Sequence, residues 1–327
     1  MDFQLTEDQE ALREGVRSFC DGRFSFDALR ELEEKGAIDR ELWGELAEMG
    51  VFSLRLPESE GGVGLGFADA VLVFAELGRR LVPGPLVWSQ LLAGRIDGAA
   101  DGEVVVGGLD LCGPVGGPLV VEHLDQLDAL VVLRSDGVVR VDPRSLHAKP
   151  VARPLDPHTP IHHVATLPDG EPIGDAEDAA RLRREGGALV AGQLLGIAEM
   201  TQELATEYAR KREQFGRPIG GFQAVKHILA DAFTRQELAR AAVYAAGATL
   251  DDPEVGSAAR AVSTAKLVAG EAAMKNSRAC VQVHGGMGYT WEIPAHYYLK
   301  RTWVLENVFG TVDEHAEEMA EYVAADA

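Results

Sequence analysis

Apolar residues recur at helical spacing from the start of the chain to Leu92. Thr6 and Gln9 have the spacing of a capping box, which predicts a first helix over residues 6–20. The apolar pattern continues in ELWGELAEMG, whose Gly50 suits a left-handed helix end, and then in FADAVLVFAELGRRL. This part of the chain is therefore predicted to be entirely helical.

The pattern changes between Asp101 and Ile173, where short runs of β-branched residues alternate with Gly, Pro and Asp. Such runs, separated by turn residues, predict a small antiparallel sheet. The runs cover residues 104–106, 119–121, 130–133 and 138–141.

Helical periodicity resumes at Asp175, with breaks at glycine and proline. The predicted helices cover residues 188–211, 224–250, 257–283 and 294–308. Long helices joined by short loops pack antiparallel, as in a four-helix bundle. We therefore predict a mainly α protein with an N-terminal helical domain (1–98), a small middle β-domain (99–174) and a C-terminal four-helix bundle (175–327).

The chain is strongly acidic, with 52 Asp and Glu against 31 Lys and Arg and a formal net charge of -21. A field of this sign repels nucleic acid and anionic membranes, so neither is an expected partner. An anionic ligand would need a local cluster of basic groups or backbone N–H groups.

Cysteines and histidines provide no pattern of a disulfide framework or a metal site. The three cysteines are widely scattered, and His158, His162 and His163 lie without a neighbouring set of cysteines or carboxylates. The acidic start MDFQLTEDQEALREG is unlike a signal peptide, and no run reaches the roughly 18 uncharged apolar residues of a spanning helix. We expect a cytoplasmic protein without a membrane span.

The segment YARKREQFGRPIGGFQAVKHILAD places basic side chains beside a glycine-rich turn and a helix start. Arg210, Lys211 and Arg212 end one helix, and Phe215-Gly216 turn the chain. Guanidinium groups and backbone N–H groups in this arrangement can bind a pyrophosphate. The alternative is a basic helix end that only complements the helix dipole.

The segment CVQVHGGMGYTWE contains Gly285, Gly286 and Gly288, which let another group approach the backbone closely. Gln282 lies one turn earlier on the same helix face as the first two glycines. Taken alone, the segment is equally consistent with an ordinary loop between helices.

Together the two segments, R-x-Q-F-G and Q-x-x-G-G-x-G-Y, resemble the acyl-CoA dehydrogenase family. The resemblance also includes MDFxLTEDQ, LAEMG, GGVGLG and the helix, sheet, helix order of the chain. It implies an FAD enzyme in which the ADP end of each flavin reaches into a neighbouring subunit. By motif, the FAD-binding residues implied here are Arg212, Gln214, Phe215, Ile219, Gln223, Gln282, Gly285, Gly286 and Thr311.

The catalytic base of this family is a glutamate, usually in a Glu-Gly-Thr triplet. Here that triplet is Phe309-Gly310-Thr311, and phenylalanine has no titratable group. Other members place the glutamate at the start of the first bundle helix, where this chain has Gly186. Glu185 is adjacent, but one helical residue turns a side chain by about 100°. The resemblance therefore leaves no catalytic residue in this chain, with Glu185 and Glu306 as the remaining candidates.

The middle region departs from the family in the same direction. Its members carry a Thr-Glu-Pro stretch and a Trp-x-Ser/Thr stretch that contact the flavin ring, and neither occurs between Asp101 and Ile173. The resemblance therefore implies one subunit of an α2β2 acyl-CoA dehydrogenase, whose homologous partner supplies the glutamate and the ring contacts. The implied substrate is an acyl-CoA, with a sterol side-chain acyl-CoA of steroid degradation as first candidate. The implied electron acceptor is an electron-transfer flavoprotein.

Two other functions remain open at this point. One is a homomeric acyl-CoA dehydrogenase that uses Glu185 or Glu306 as a displaced base. The other is a non-enzymatic acyl-CoA-binding or scaffold protein that kept the fold and lost both flavin and catalysis.

Overall fold

The computed structural model of the protein describes residues 4–34, 36–113 and 117–325, so the first three residues of the MDFxLTEDQ pattern lie outside the described residues. Its helices are α1 (Glu7–Arg23), α2 (Phe26–Glu34), α3 (Arg40–Glu48), α4 (Phe67–Arg79), α5 (Leu86–Leu92), α6 (Ala176–Lys211), α7 (Gln223–Asp251), α8 (Ala258–His284), α9 (Ala295–Leu305) and α10 (Val312–Ala325). Its strands are β1 (Val106–Asp110), β2 (Leu119–Glu122), β3 (Ala129–Arg134), β4 (Gly137–Val141), β5 (Ala148–Pro150), β6 (Ile161–Val164), β7 (Glu171–Asp175), β8 (Glu213–Gln214) and β9 (Arg217–Pro218). This order confirms the predicted mainly helical fold class with a small β-region before the C-terminal helices.

The chain divides into two compact units. The helical unit consists of the residues up to Gly22, Val71–Val82, and the residues from Ala188 onward. The mixed unit consists of Arg23–Ala70 and Pro83–Gly187 and contains the strands β1 to β7. The three-domain boundaries expected from the sequence stay a prediction.

The first helix begins as its capping box predicts. The Thr6 backbone N–H donates to Gln9 Oε1 at 3.2 Å, and the Gln9 N–H donates to Thr6 Oγ1 at 3.2 Å. This reciprocal pair satisfies two backbone donors that a helix start otherwise leaves without partners. Gly50 also has the predicted left-handed backbone, with φ 78°.

The sheets of the mixed unit differ from the predicted antiparallel arrangement. One sheet has the strand order β1-β3-β4-β7 and the other has β2-β6-β5. Strand β1 pairs with β3 in parallel, and the other pairs within these two sheets are antiparallel. The intervening strand β2 belongs to the second sheet, so the chain returns to the first in its original direction. Hydrophobic alternation does not encode strand direction, and the prediction was wrong for this pair.

The helix α6 begins earlier than the predicted start at residue 188. Gly186 and Gly187 indicated a break, yet both lie buried inside the helix. Each glycine lowers helix stability by about 1 kcal/mol relative to alanine, which packing of the surrounding helix outweighs.

A buried asparagine connects three bundle helices of the helical unit. The Asn276 Nδ2 group on α8 donates to Ala198 O on α6 at 3.1 Å and to Ala232 O on α7 at 3.0 Å. Its Oδ1 accepts from Arg235 Nε at 3.0 Å. With all its polar atoms paired, Asn276 fixes the relative register of α6, α7 and α8. None of the helices in the described part of the chain is long and apolar enough to cross a membrane.

Candidate functional site

A short hairpin follows the end of α6 and holds a phenylalanine at its tip. The Ile219 N–H donates to Arg212 O at 2.7 Å, and strands β8 and β9 pair above this contact. Phe215 and Gly216 form the turn with φ of 52° and 77°, as a two-residue hairpin requires. Phe215 is 92% exposed. A bulky residue with a left-handed backbone and a solvent-exposed ring is a candidate for contact with something outside the chain.

Polar groups of this segment are also available to a ligand. Arg212, Gln214 and Gln223 are exposed, and within the described residues the Arg212 guanidinium has no hydrogen bond or ion pair. Helix α7 begins directly after Phe222, which provides no side-chain cap. The first-turn N–H groups of α7 therefore lack a capping side chain and can bind an anion.

The second segment lies at the end of α8, where three glycines have different reasons to be glycine. Gly285 has φ 60° and ψ -138°, a backbone conformation that residues other than glycine rarely adopt. A Cβ on Gly288 would lie 2.7 Å from Val281 O, so packing inside the chain requires that glycine. A Cβ on Gly286 would meet no atom within 4 Å, and its φ is not left-handed. No contact among the described residues requires glycine at 286, as expected where an external group approaches the backbone.

The structure brings both segments to one end of the helical unit. The rings of Tyr208 on α6 and His284 on α8 lie 4.2 Å apart between centroids. Ile219, predicted as a flavin contact, is half-buried and packs with Tyr208 against a cluster that includes Val281. Burial lowers the pKa of His284, and its Nδ1 lies 2.8 Å from Cys280 O, as expected for a neutral ring donating there.

Thr311 has a local role that its motif did not predict. Its Oγ1 accepts from the Glu314 N–H at 3.2 Å and its own N–H donates to Glu314 Oε2 at 2.7 Å, which caps α10. Thr311 also lines a cavity of about 540 Å³ together with Arg278 and Glu306. Arg278 lies one turn before Gln282 on α8 and was missed at the sequence level, although the i to i+4 spacing would have indicated it.

Residue 309, where the family usually has its catalytic base, holds an apolar side chain that is buried within the chain. Phe309 is 1% exposed, and its backbone has φ 55°. His315 Nε2 lies 3.0 Å from Phe309 O, and buried Lys266 donates to Leu305 O at 3.2 Å and to Val308 O at 2.7 Å. These contacts hold the loop between α9 and α10 from within the chain.

The two remaining candidate bases have different surroundings. Glu185, in the mixed unit, is buried and pairs with Arg55 and Arg181, each at 3.2 Å. Contacts with two guanidinium groups are typical of a structural ion pair. Glu306, in the helical unit, is half-buried, and burial raises its pKa against the opposing charges of Lys266 and Arg278. Of the two, Glu306 is better suited to accept a proton.

Comparisons with known proteins cover nearly the whole chain. Residues 6–97 match the model of the acyl-CoA dehydrogenase N-terminal domain, and residues 184–324 match that of the C-terminal domain. The acyl-CoA dehydrogenase IpdE2 of Mycobacterium tuberculosis is 36% identical over 307 residues, 90% of this chain and 91% of that protein. IpdE2 of Mycolicibacterium smegmatis is 33% identical over 305 residues, 91% of this chain and 93% of that protein.

Solved structures agree with these matches. The ChsE4-ChsE5 complex from Mycobacterium tuberculosis has a TM-score of 0.86 and 27% identity, covering 99% of both chains. A Tcur3481-Tcur3483 steroid ACAD variant has a TM-score of 0.83 and 23% identity, covering 98% of both chains, and is similar in fold. The chain therefore belongs to the acyl-CoA dehydrogenase family.

Proposed function

We propose that this chain is one subunit of a heteromeric FAD-dependent acyl-CoA dehydrogenase, in which it binds the ADP half of a flavin whose ring lies on a homologous partner. One observation carries the proposal. The groups that fit a diphosphate and an adenine are exposed at one end of the helical unit, whereas the usual base position holds the buried side chain of Phe309.

The exposed end fits an adenosine diphosphate group chemically. Arg212 has a guanidinium without a partner among the described residues, and α7 begins without a side-chain cap. Both provide N–H donors for phosphate oxygens. Gly286 leaves open space for close approach of the diphosphate, and the exposed Phe215 ring can contact a purine.

The reaction proposed for the complex is α,β-dehydrogenation of an acyl-CoA thioester. A carboxylate takes a proton from the carbon next to the thioester, and the neighbouring carbon loses a hydride. Bound FAD would supply the hydride acceptor. Because residue 309 is phenylalanine, we assign proton removal to a glutamate of the partner, and this chain contributes binding and orientation of the cofactor.

The outer face of α7 supports a protein partner. Phe233 and Leu238 are 52% and 60% exposed, and Ala224, Ala230 and Ala241 are exposed as well. A surface helix ordinarily presents polar residues to water, so this face fits burial against another chain. The ChsE4-ChsE5 complex and the Tcur3481-Tcur3483 steroid ACAD each name two components, which supports a homologous partner. We propose an α2β2 assembly.

The name of the Tcur3481-Tcur3483 steroid ACAD suggests a substrate class. We propose a sterol side-chain acyl-CoA as substrate and an electron-transfer flavoprotein as electron acceptor. A survey of acyl-CoA thioesters with the purified complex tests the substrate directly. Preference for a short linear acyl-CoA over a sterol side-chain acyl-CoA would contradict this part of the proposal alone.

Flavin content tests the shared site. The chain is purified alone and after co-expression with a homologue that carries intact Glu-Gly-Thr and Thr-Glu-Pro stretches, and flavin absorbance is divided by protein concentration. We expect little FAD in the chain alone and about one FAD per two chains in the complex, because binding requires both halves of the site. Near-stoichiometric flavin in the isolated chain would contradict the proposal, and no flavin with any homologous partner would favour a non-enzymatic scaffold.

A homomeric enzyme is the second candidate, and one observation favours it. Glu306 lines the cavity of about 540 Å³ beside Arg278, and burial raises its pKa. A carboxylate with a raised pKa in a cavity is a reasonable general base. Purified alone, such an enzyme would be yellow and active, and it would lose its activity in Glu306→Gln.

A further inference from the structure

A second cavity, of about 410 Å³, lies within the helical unit between α1, α4, α6 and α7. None of its lining residues belongs to the flavin-binding set described above. Its wall contains four arginines and three glutamates, so most of its polar lining is charged. The volume lies in the range of small-molecule sites.

Three of the four arginines are neutralised within the wall. They pair as follows: Arg17 with Glu76 at 2.6 Å, Arg79 with Glu203 at 2.7 Å and Arg240 with Glu199 at 2.7 Å. Each glutamate therefore has a cation, and these six side chains together carry no net charge.

The fourth arginine has no carboxylate partner within the described residues, although Glu237, which also pairs with Arg240, brings the glutamates beside the cavity to four. Arg13 forms no ion pair with any residue that the structure describes, and its buried Nε–H has no acceptor. Its guanidinium lies beside the Tyr244 hydroxyl. Burial raises the pKa of Tyr244, with a further contribution from Glu199, so the hydroxyl stays protonated and can donate. In a chain of net charge -21, this corner of the cavity is a local anion site.

The cavity also contains a buried glutamine, which requires a hydrogen-bond donor from a ligand rather than an acceptor. Gln236 is 6% exposed and lines the cavity, and its Oε1 accepts no hydrogen bond within the described residues. Its Nε2 donates to Glu237 Oε1 at 3.4 Å, which leaves the carbonyl oxygen available. A buried acceptor without a donor is unfavourable, so a ligand that donates to this oxygen would gain affinity.

We propose that this cavity binds a small hydroxycarboxylate. The carboxylate would accept hydrogen bonds from Arg13 and Tyr244, and the hydroxyl group would donate to Gln236 Oε1. A carboxylate would pair with the one lining arginine that has no carboxylate partner among the described residues, whereas the ammonium group of an amino acid would find each lining glutamate already paired with an arginine. This site is independent of flavin and of the partner subunit.

Isothermal titration calorimetry of the full chain tests the proposal with three probes of matched size: 3-hydroxybutyrate, butyrate and 3-aminobutyrate. We expect 3-hydroxybutyrate to bind about tenfold more tightly than butyrate, which lacks the hydroxyl donor, and more tightly than 3-aminobutyrate. Equal affinity for the first two acids, absence of binding, or tighter binding of 3-aminobutyrate would each overturn the assignment.

Two variants locate the site, and circular dichroism checks that each is folded. Arg13→Gln should weaken both acids by at least about tenfold, since it removes the charge that pairs with the carboxylate. Gln236→Leu should abolish the preference for 3-hydroxybutyrate and leave butyrate binding intact. Arg184→Gln, at an exposed arginine of the mixed unit, is the matched control and should change nothing. Arg13 is half-buried, so the protein should tolerate its replacement. Unchanged binding in Arg13→Gln would contradict the proposed site.

Discussion

Two regions of the helical unit differ in where their polar and backbone groups find partners. At the ends of α6 and α8, Arg212, Phe215 and Gly286 are exposed, and Phe215 has an edge contact with the Phe222 ring. Within the described residues, the Arg212 guanidinium has no partner and no atom would contact a Cβ on Gly286. In the loop between α9 and α10, Phe309 is buried and its carbonyl group is held by His315. The first region has the chemistry to bind something external, and the second serves packing. This difference is what the proposed function requires of a chain that binds one half of a flavin and leaves proton removal to a partner.

The largest effect is expected from the substitution Phe309→Glu in the loop between α9 and α10. This change places a carboxylate in an apolar position and removes ring packing, so it should lower the free energy of unfolding by about 3–5 kcal/mol, measured by urea denaturation. It should not create dehydrogenase activity in the isolated chain. Phe309→Leu, which stays apolar, should cost about 1 kcal/mol. Activity in the isolated Phe309→Glu protein would mean that the loop faces a functional flavin.

Gly286 and Gly288 are expected to be glycine for different reasons, the first for close approach of a ligand and the second for packing within the chain. Gly286→Leu should leave the thermal midpoint nearly unchanged, because the space is open, and should weaken FAD retention in the complex by roughly a hundredfold. Gly288→Ala should instead destabilise the chain by about 1–3 kcal/mol, since its Cβ would contact Val281 O. Identical behaviour of the two variants would remove the distinction between them.

Removing the positive charge of Arg212 should cause a partial loss of bound flavin. Arg212→Ala in the complex should weaken FAD binding ten- to a hundredfold, as expected for about 1.5–3 kcal/mol from a charge-assisted contact. Flavin remaining after dilution and gel filtration is the measurement. Arg210→Ala, an exposed neighbour outside the motif, is the control, and Gln282→Ala should act in the same direction with a smaller effect. Equal losses in Arg210→Ala and Arg212→Ala would indicate a general charge effect.

The contact beneath the exposed end should respond to pH. Burial lowers the pKa of His284 from its ordinary value of 6.5, so the unfolded chain binds this proton more readily. The stability contributed by the neutral ring is complete above pH 6.5 and is lost as the pH falls below that value. His284→Phe keeps a ring beside Tyr208 and cannot titrate. As the pH falls, wild type should therefore lose unfolding free energy relative to His284→Phe. A loss by the variant relative to wild type would contradict the burial argument.

The smallest effect is expected for the two glutamates that remained candidate bases. Glu306→Gln and Glu185→Gln should each leave the turnover of the complex within a few-fold of wild type, whereas loss of a general base costs roughly 10²–10⁴-fold. Glu185→Gln should also lower the unfolding free energy by about 1–3 kcal/mol, between the values of exposed and buried ion pairs, because Arg55 and Arg181 are partly exposed. A hundredfold loss of turnover in either variant with flavin still bound would establish the homomeric enzyme.

The sequence by itself determined the features that depend on neighbouring residues. The capping box of Thr6 and Gln9, the helix end at Gly50 and the helical periodicity are local patterns, and the described structure contains all of them. The motifs around Arg212 and Gly286 are equally local, and the family that they indicated is the one that the C-terminal domain matches. Their role in binding flavin stays a prediction. The missing carboxylate at Phe309 is a matter of residue identity and needs no coordinates.

Only the tertiary structure decided features that join residues far apart in the chain. The parallel pairing of β1 with β3 and the ion pair of Glu185 with Arg55 depended on distances that hydrophobic spacing does not specify. The unpaired charge of Arg13 is a further example, because it becomes visible only after every other arginine of its cavity has found a carboxylate. The pairing of these charges depends on side chains from four separate helices, which only the tertiary structure brings together.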